Sequence, residues 1–172
     1  LVLAGNNTYT GATTINAGTL KPGATGTATN TPLGTTGAGT SVTASGAALD
    51  LGGFTLGSAE ALSLIGTGVS STGALTNSGG AATYKGVVTI GAGGATIGGT
   101  GNITLTAALG ANANALTKEG ANTLALNVNS TRTGNTILNN GVLKLGSATA
   151  IGTTAQTLTL AGGTLQLATD SS

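Results

Sequence analysis

The feature that most constrains this chain is a short-range alternation, in which two apolar residues flank one polar or small residue. Alternation with period two, with threonine at many intervening positions, is typical of β-strands. No window carries the i, i+3, i+4, i+7 stripe of an amphipathic helix. The sequence therefore predicts an all-β protein. The alternating pairs are Leu1/Leu3, Leu49/Leu51, Leu62/Leu64, Val88/Ile90, Ile103/Leu105, Leu124/Leu126, Leu143/Leu145, Leu158/Leu160 and Leu165/Leu167.

Turns rich in glycine and asparagine separate these strand-sized units, and they follow one another at the short spacing of a β-sandwich, a barrel or a solenoid. Sandwich and barrel cores usually need bulky side chains, yet the chain has only three aromatic residues, Tyr9, Phe54 and Tyr84. Small residues suit a narrow coil whose interior is filled by stacked Leu, Ile and Val. The composition therefore favours the solenoid.

Internal self-similarity also favours stacked coils. Residues 11–23 (GATTINAGTLKPG) align with residues 134–146 (GNTILNNGVLKLG), and residues 42–51 align with residues 158–167. Residues 57–115 have no second copy in the chain. Small insertions in turns, with the strands preserved, explain why the register between the copies drifts.

We therefore expect a single β-solenoid segment over residues 1–172, part of a longer repeat protein. Repeat copies lie near residues 1–56 and 116–172, and the middle, residues 57–115, has diverged. Coils of roughly 20–24 residues give about 7–8 coils. With strands about 4.8 Å apart along the axis, the rod is roughly 35 Å long.

The composition excludes most chemistry. The chain has no His, Cys, Met or Trp, so thiol nucleophiles, imidazole bases, disulfides, haem ligands and His/Cys zinc sites are impossible within it. A net charge of +1 provides no electrostatic surface for a phosphate backbone, and we expect no nucleic-acid partner. No apolar run is long enough for a transmembrane helix.

The carboxylates of Asp50, Glu60, Glu119 and Asp170 are the remaining candidates for acid–base chemistry. Asp50 alternates with two leucines, which places its side chain on the outer face, and Glu119 adjoins Lys118 in a turn. Asp50 with Glu60 is the only pair close enough in sequence for a catalytic site. We expect all four to be solvated surface charges. The sequence thus predicts no enzyme, no catalytic or metal-binding residues, and no cofactor.

Three further features have structural interpretations. The glycine-rich segment at residues 98–103 lacks the Asp that a calcium-binding glycine loop needs at Ile103, so it is predicted to be a turn. Lys21 and Lys144 are equivalent in the repeat and are expected to lie along one face. Asparagines in turns are expected to stack as amide ladders, at Asn16, Asn139 and Asn140.

Pairs of threonines separated by one residue are the remaining feature of interest. Ranks of Thr on a flat solenoid face resemble the surface of some ice-binding β-helices. The pairs do not recur once per coil in fixed register, however, and Thr is a common strand residue. The pairs are Thr8/Thr10, Thr25/Thr27/Thr29/Thr31, Thr104/Thr106 and Thr157/Thr159.

Residues 7–20 (NTYTGATTINAGTL) resemble the autotransporter-associated β-strand repeat. The first half of its pattern reappears at residues 116–126 (LTKEGANTLAL), and its second half reappears from residue 133 to residue 143, with Arg132 where Tyr is usual. The resemblance implies a right-handed parallel β-helix from the passenger domain of a bacterial autotransporter or adhesin-like protein. It implies an extracellular or outer cell-surface location and no defined activity.

Together these observations predict a structural β-solenoid that serves as an adhesin stalk or an extracellular fibre or matrix subunit. Its expected partners are itself, end to end or laterally, or neighbouring segments of a longer chain, together with a host or abiotic surface. The alternative is a surface-binding module that recognises carbohydrate or ice through a flat face rich in Thr.

Overall fold

The computed structural model describes residues 1–153 and 156–168, and this part of the chain contains eighteen short β-strands. One 3-10 turn, Val69–Ser71, interrupts them. No helix in the described part is long and apolar enough to cross a membrane. The strands are β1 (Val2–Leu3), β2 (Thr13–Ile15), β3 (Gly18–Pro22), β4 (Asn30–Thr31), β5 (Gly34–Thr35), β6 (Thr40–Val42), β7 (Ala47–Asp50), β8 (Leu62–Gly66), β9 (Leu75–Thr76), β10 (Ala82–Tyr84), β11 (Val88–Ile97), β12 (Ile103–Leu105), β13 (Leu116–Lys118), β14 (Thr123–Leu126), β15 (Thr136–Leu138), β16 (Val142–Leu145), β17 (Leu158–Leu160) and β18 (Thr164–Leu167).

The strands wind into a parallel β-solenoid of about 7 turns, which confirms the predicted fold class. Apart from β4 and β5, the strands pair in parallel with strands of adjacent coils, so that equivalent side chains of successive coils stack in one row along the axis, which we call a rank. The clearest interior rank is Leu20, Leu49, Leu75, Ile97, Lys118, Leu138 and Leu160.

The parallel pairings define three faces. The first face contains β2, β6, β8 and the start of β11. The second face contains β1, β3, β7, β9, the end of β11, β13, β15 and β17. The third face contains β10, β12, β14, β16 and β18. Strand β11 bends around the corner between the first two faces, where its register shifts between Ile90 and Ala95.

The alternating sequence pattern becomes an inside and an outside on each strand. In β8, Leu62 and Leu64 are buried while Ser63 between them is half-buried on the outer side. Leucine, isoleucine and valine from all three faces fill one continuous core. Each fully buried side chain of this size contributes about 1.5–3 kcal/mol, so the stacked ranks are the main stabilising term for a chain so poor in aromatic residues.

The first coils carry an insertion that departs from the parallel pattern. Strands β4 and β5 form an antiparallel hairpin, which docks on the segment before β2. The backbone N–H of Asn7 donates to the carbonyl of Thr31, and that of Thr35 donates to the carbonyl of Tyr9, both at 3.0 Å. Leu33, at the hairpin tip, is buried in the core, so the insertion is part of the packed structure.

Candidate functional site

A lysine lies inside the solenoid. Lys118 takes the place in the second-face rank at which the adjacent coils have Ile97 and Leu138, and it is fully buried. Its Nζ donates hydrogen bonds to the carbonyl oxygens of Glu119 at 2.6 Å and Asn140 at 3.2 Å. Burial lowers the pKa of Lys118 to about 8, because removal from water disfavours the charged form.

An arginine is buried in the next coil. Nη1 of Arg132 donates to Oγ1 of Thr136 at 2.9 Å and to the carbonyl of Ile151 at 3.0 Å. Nη2 donates to the carbonyls of Asn114 at 2.7 Å and Asn135 at 3.1 Å. The acceptors belong to three successive coils, so one side chain joins the coils along the axis. Burial lowers the pKa of Arg132.

Basic side chains usually lie on the surface, in solvent or in ion pairs, but Lys118 and Arg132 are buried and form no ion pair with any residue that the structure describes. Among the described residues the one ion pair is between Lys21 and Asp50, with Nζ and Oδ2 3.6 Å apart. Nζ of Lys118 and the two Nη atoms of Arg132 instead donate to backbone carbonyls and a hydroxyl, whereas Nε of Arg132 is buried without a partner in the described part of the chain. Their removal would leave several of those acceptors unpaired, which makes both residues structural links between coils.

The carboxylate of Glu119 lies at the corner between the second and third faces. Nδ2 of Asn139 donates to its Oε1 at 2.5 Å, and Nδ2 of Asn140 donates to its Oε2 at 2.7 Å. The hydrogen bonds from Asn140 and Asn139 lower the pKa of Glu119. The two amides therefore hold an ionised carboxylate between successive coils, instead of stacking as the predicted amide ladder.

Asp50 was predicted to be a solvated surface charge, and this was wrong. It is 8% exposed, because the next corner turn covers it. The backbone N–H of Gly52, and both the backbone N–H and the hydroxyl of Ser78, donate to its carboxylate. Partial burial raises its pKa, but these hydrogen bonds and Lys21 outweigh that effect and lower the pKa overall.

Glu60 was also wrongly predicted to be solvated. It is 2% exposed, and Oγ1 of Thr40 donates to its Oε1 at 2.5 Å. Burial raises its pKa despite the hydrogen bonds from Thr40 and Thr31. The nearby Tyr84 is buried as well, and desolvation, followed by the charge of Glu60, raises its pKa.

These partners separate the one carboxylate pair that the sequence allowed as a catalytic site. Asp50 bonds to the corner turn of the next coil, whereas Glu60 bonds to Thr40 in β6. Asp170 lies outside the described residues. Sequence patterns could not have identified Asp50 and Glu60 as buried, because the exposure of both positions depends on which neighbouring segments cover them.

Tyr9 and Arg132, which are equivalent in the internal alignment, make the same contact. Oη of Tyr9 lies 2.6 Å from Oγ1 of Thr13, and Nη1 of Arg132 lies 2.9 Å from Oγ1 of Thr136. In both copies a long side chain reaches the hydroxyl four residues later. The substitution of arginine for tyrosine thus preserves the local hydrogen bond of the repeat.

The family model described as the passenger-associated-transport-repeat matches residues 1–21 and 116–145. The match confirms the resemblance to the autotransporter-associated β-strand repeat. No curated protein and no solved structure matches the chain significantly.

The two copies of the internal repeat, residues 11–23 and 134–146, are rotated relative to each other by one face. Strand β3 lies on the second face, whereas its counterpart β16 lies on the third. Lys21 and Lys144 therefore lie on different faces, and the prediction that they align was wrong. The coils between the two copies differ in length. Each additional corner moves all the later strands to the next face, so equivalent strands of the two copies lie on different faces.

The corner between the second and third faces contains buried asparagines. Nδ2 of Asn77 donates to the carbonyls of Gly80 and Asn102. Nδ2 of Asn122 donates to the carbonyls of Gly98 and Gly101. These amides satisfy backbone groups where the strand ladder is interrupted. Residues 98–102 form a turn, and Ile103 begins β12 in the core, as predicted.

The first face presents one outward hydroxyl per coil over its four paired strands. Register places Thr14 beside Ser41, Ser41 beside Ser63, and Ser63 beside Thr89. The threonine pairs noted in the sequence do not form this rank. Thr104 lies on the third face and Thr159 on the second. A regular hydroxyl surface is thus present, but single residues rather than Thr pairs produce it.

Proposed function

We propose that the chain is a structural segment of a secreted or surface-displayed bacterial protein, a stalk or fibre subunit whose copies add end to end. Parallel coils joined by backbone hydrogen bonds make a rod stiff along its axis. The passenger-associated-transport-repeats support an extracellular or outer cell-surface location. In this proposal the chain has no catalytic role, because the buried carboxylates serve the corners of the coils.

The observation that carries the proposal is the apolar surface at the two ends. Leu160 and Leu167, on β17 and β18, are 58% and 64% exposed, whereas Leu75 in the middle of the same rank as Leu160 is fully buried. At the opposite end, a cavity of about 240 Å³ is lined by residues that include Leu3 and Leu20. Over the described residues, 1–153 and 156–168, each end therefore has an open row of core side chains and an open strand edge.

In this proposal a second copy of the chain meets these ends after a rotation by one face, because the open strands lie on the second and third faces at one end and on the first and second faces at the other. The strand edge at the β17–β18 end of one copy is parallel to the edge at the β1–β2 end of another, so the contact is head-to-tail and does not close on itself. A net charge of +1 opposes such stacking only weakly. The product is a filament whose interior ranks continue from copy to copy.

Negative-stain electron microscopy across a concentration series, with sedimentation velocity, tests the proposal. We expect filaments that lengthen with concentration, and short rods for the double variant Leu160→Lys/Leu167→Lys. Val128→Lys is the matched control, since Val128 is 38% exposed on the side of the rod and away from both ends. Isolated rods of the unaltered chain at every concentration would contradict end-to-end assembly and leave a spacer whose ends are covered by neighbouring segments of a longer chain.

A surface-binding module is the second candidate, favoured by the hydroxyl rank of the first face. Its members repeat at the spacing of stacked strands, about 4.8 Å, which suits a regular surface such as ice or a crystalline glycan. Thermal hysteresis and pull-down on insoluble polysaccharides test it. Binding that Ser41→Lys and Ser63→Lys abolish would favour this function, and absence of both activities would reject it.

A further inference from the structure

Asn140 and Gly141 form the one Asn–Gly dipeptide in the sequence. They lie in the turn before β16, and the side chain of Asn140 is exposed. In an Asn–Gly pair, the backbone nitrogen of the glycine reaches Cγ of the asparagine without hindrance from a side chain. Asparagine is among the chemically least stable residues for this reason.

The fold itself requires glycine at position 141. Its φ is +70°, in the left-handed region that residues with a Cβ rarely adopt. A Cβ there would also overlap the carbonyl oxygens of Gly120 and Asn122 in the adjacent coil. A bulkier residue, which would slow attack on Asn140, is therefore excluded by the close stacking of the coils.

We propose that Asn140 is a site of spontaneous deamidation, and that Glu119 restrains the reaction by holding the amide. The backbone nitrogen of Gly141 attacks Cγ of Asn140, and the bond from Cγ to Nδ2 breaks. Ammonia leaves with the proton from the Gly141 amide, and a five-membered succinimide remains. Water then hydrolyses either of its two C–N bonds, which yields aspartate or isoaspartate at position 140. The reaction needs no oxidant and no enzyme.

Glu119 restrains the amide through the hydrogen bond of 2.7 Å between Nδ2 of Asn140 and its Oε2. Attack by Gly141 requires Cγ to rotate toward the backbone, which breaks that bond. The same carboxylate accepts a hydrogen bond from Asn139 through its other oxygen, Oε1. The reaction replaces the amide of Asn140, which donates to Glu119, with a second carboxylate beside Glu119. Nζ of Lys118, 3.2 Å from the Asn140 carbonyl, is a nearby positive charge that offsets the repulsion between the two carboxylates.

Peptide mapping by mass spectrometry tests the proposal on the full chain, incubated at mildly alkaline pH and body temperature. Trypsin releases residues 133–144, in which deamidation adds about 1 Da and fragmentation assigns it to Asn135, Asn139 or Asn140. Isoaspartate is detected with isoaspartyl methyltransferase. We expect the mass increase to appear at Asn140 before it appears at Asn135 or Asn139, and we expect both aspartate and isoaspartate at position 140.

Two variants test the restraint. Glu119→Ala is expected to speed deamidation of Asn140 about fivefold, the factor that corresponds to the loss of one hydrogen bond of about 1 kcal/mol. Asn139→Ala, the matched control, removes the other bond to Glu119 and should change the rate at Asn140 little. Circular dichroism confirms that both variants remain folded.

Two results would overturn the proposal. Asn140 unchanged in the folded chain, while a synthetic peptide of residues 133–144 deamidates, would show that the solenoid blocks the reaction. Equal rates in the unaltered chain and Glu119→Ala, measured with both folded, would remove the role of Glu119.

Discussion

Nη1 of Arg132 lies 2.9 Å from Oγ1 of Thr136, in the positions of the repeat at which Oη of Tyr9 lies 2.6 Å from Oγ1 of Thr13. One contact is thus made by two chemically different side chains. The arginine has further bonds to backbone carbonyls and is fully buried, whereas Tyr9 is 40% exposed. We therefore expect the side chain at this repeat position to contribute more to stability in the second copy than in the first.

Arg132→Ala is expected to lower the free energy of unfolding by about 3–5 kcal/mol, because it leaves buried carbonyls unpaired. Arg132→Tyr restores the residue of the other copy and its bond to Thr136. It should be more stable than Arg132→Ala by at least about 1 kcal/mol. Urea denaturation measures both, with Tyr9→Phe as a control that loses about 0.5–1 kcal/mol. Equal stability of the alanine and tyrosine variants would show that the Thr136 contact contributes nothing.

Lys118 is expected to make stability rise with pH. Its pKa is about 8 in the folded chain against an ordinary value of 10.5, so between these values the unfolded state binds more protons and stability increases as pH rises. Tyr84 has a raised pKa and opposes this trend above about pH 10. In urea denaturation from pH 7 to pH 10, the free energy of unfolding of the unaltered chain minus that of Lys118→Met should therefore increase. A constant difference would mean that the Lys118 pKa is not lowered.

Glu60 is expected to have the opposite effect at lower pH. Its pKa is raised from 4.5, so its contribution to stability is complete below pH 4.5 and is lost as pH rises through the folded-state pKa. Glu60→Gln keeps an acceptor for Thr40 and cannot ionise. The stability of the unaltered chain relative to Glu60→Gln should fall as pH rises from 4.5 toward neutrality. If the relative stability instead rose over this interval, the buried carboxylate would be stabilised as the anion.

The rank shared by Leu75 and Leu160 allows a matched test of stacking. Leu75→Ala removes a fully buried side chain and should cost about 2–5 kcal/mol. Leu160→Ala makes the same chemical change at the open end and should cost less than about 1 kcal/mol. Thermal and urea unfolding at low protein concentration measure both. Similar losses at the two positions would show that the end of the solenoid is covered in solution.

The alternation of apolar residues predicted the strands, and the scarcity of aromatic residues together with the internal repeat predicted the solenoid. A pair such as Leu62 and Leu64 must share one side of a strand because side chains alternate with period two, and this local rule holds whatever lies nearby. The repeat was equally visible, because residues 11–23 and 134–146 preserve both strands and turns.

The exposure of the charged residues was decided by the tertiary structure alone. Asp50 alternates with core leucines and points outward, as predicted, yet the turn containing Ser78 covers it from the next coil. Lys118 occupies an inward position where the adjacent coils have Ile97 and Leu138, which only the register reveals.

The sequence by itself determined the strands, because their signal is local, and it determined that the coils stack, because the signal repeats. Which face each strand joins depends on the lengths of all the preceding corners, and this placed Lys21 and Lys144 on different faces. The burial of a polar side chain depends on partners one coil away, about 20 residues along the chain. The tertiary structure therefore decided which face each repeat strand joins and which charged side chains are buried.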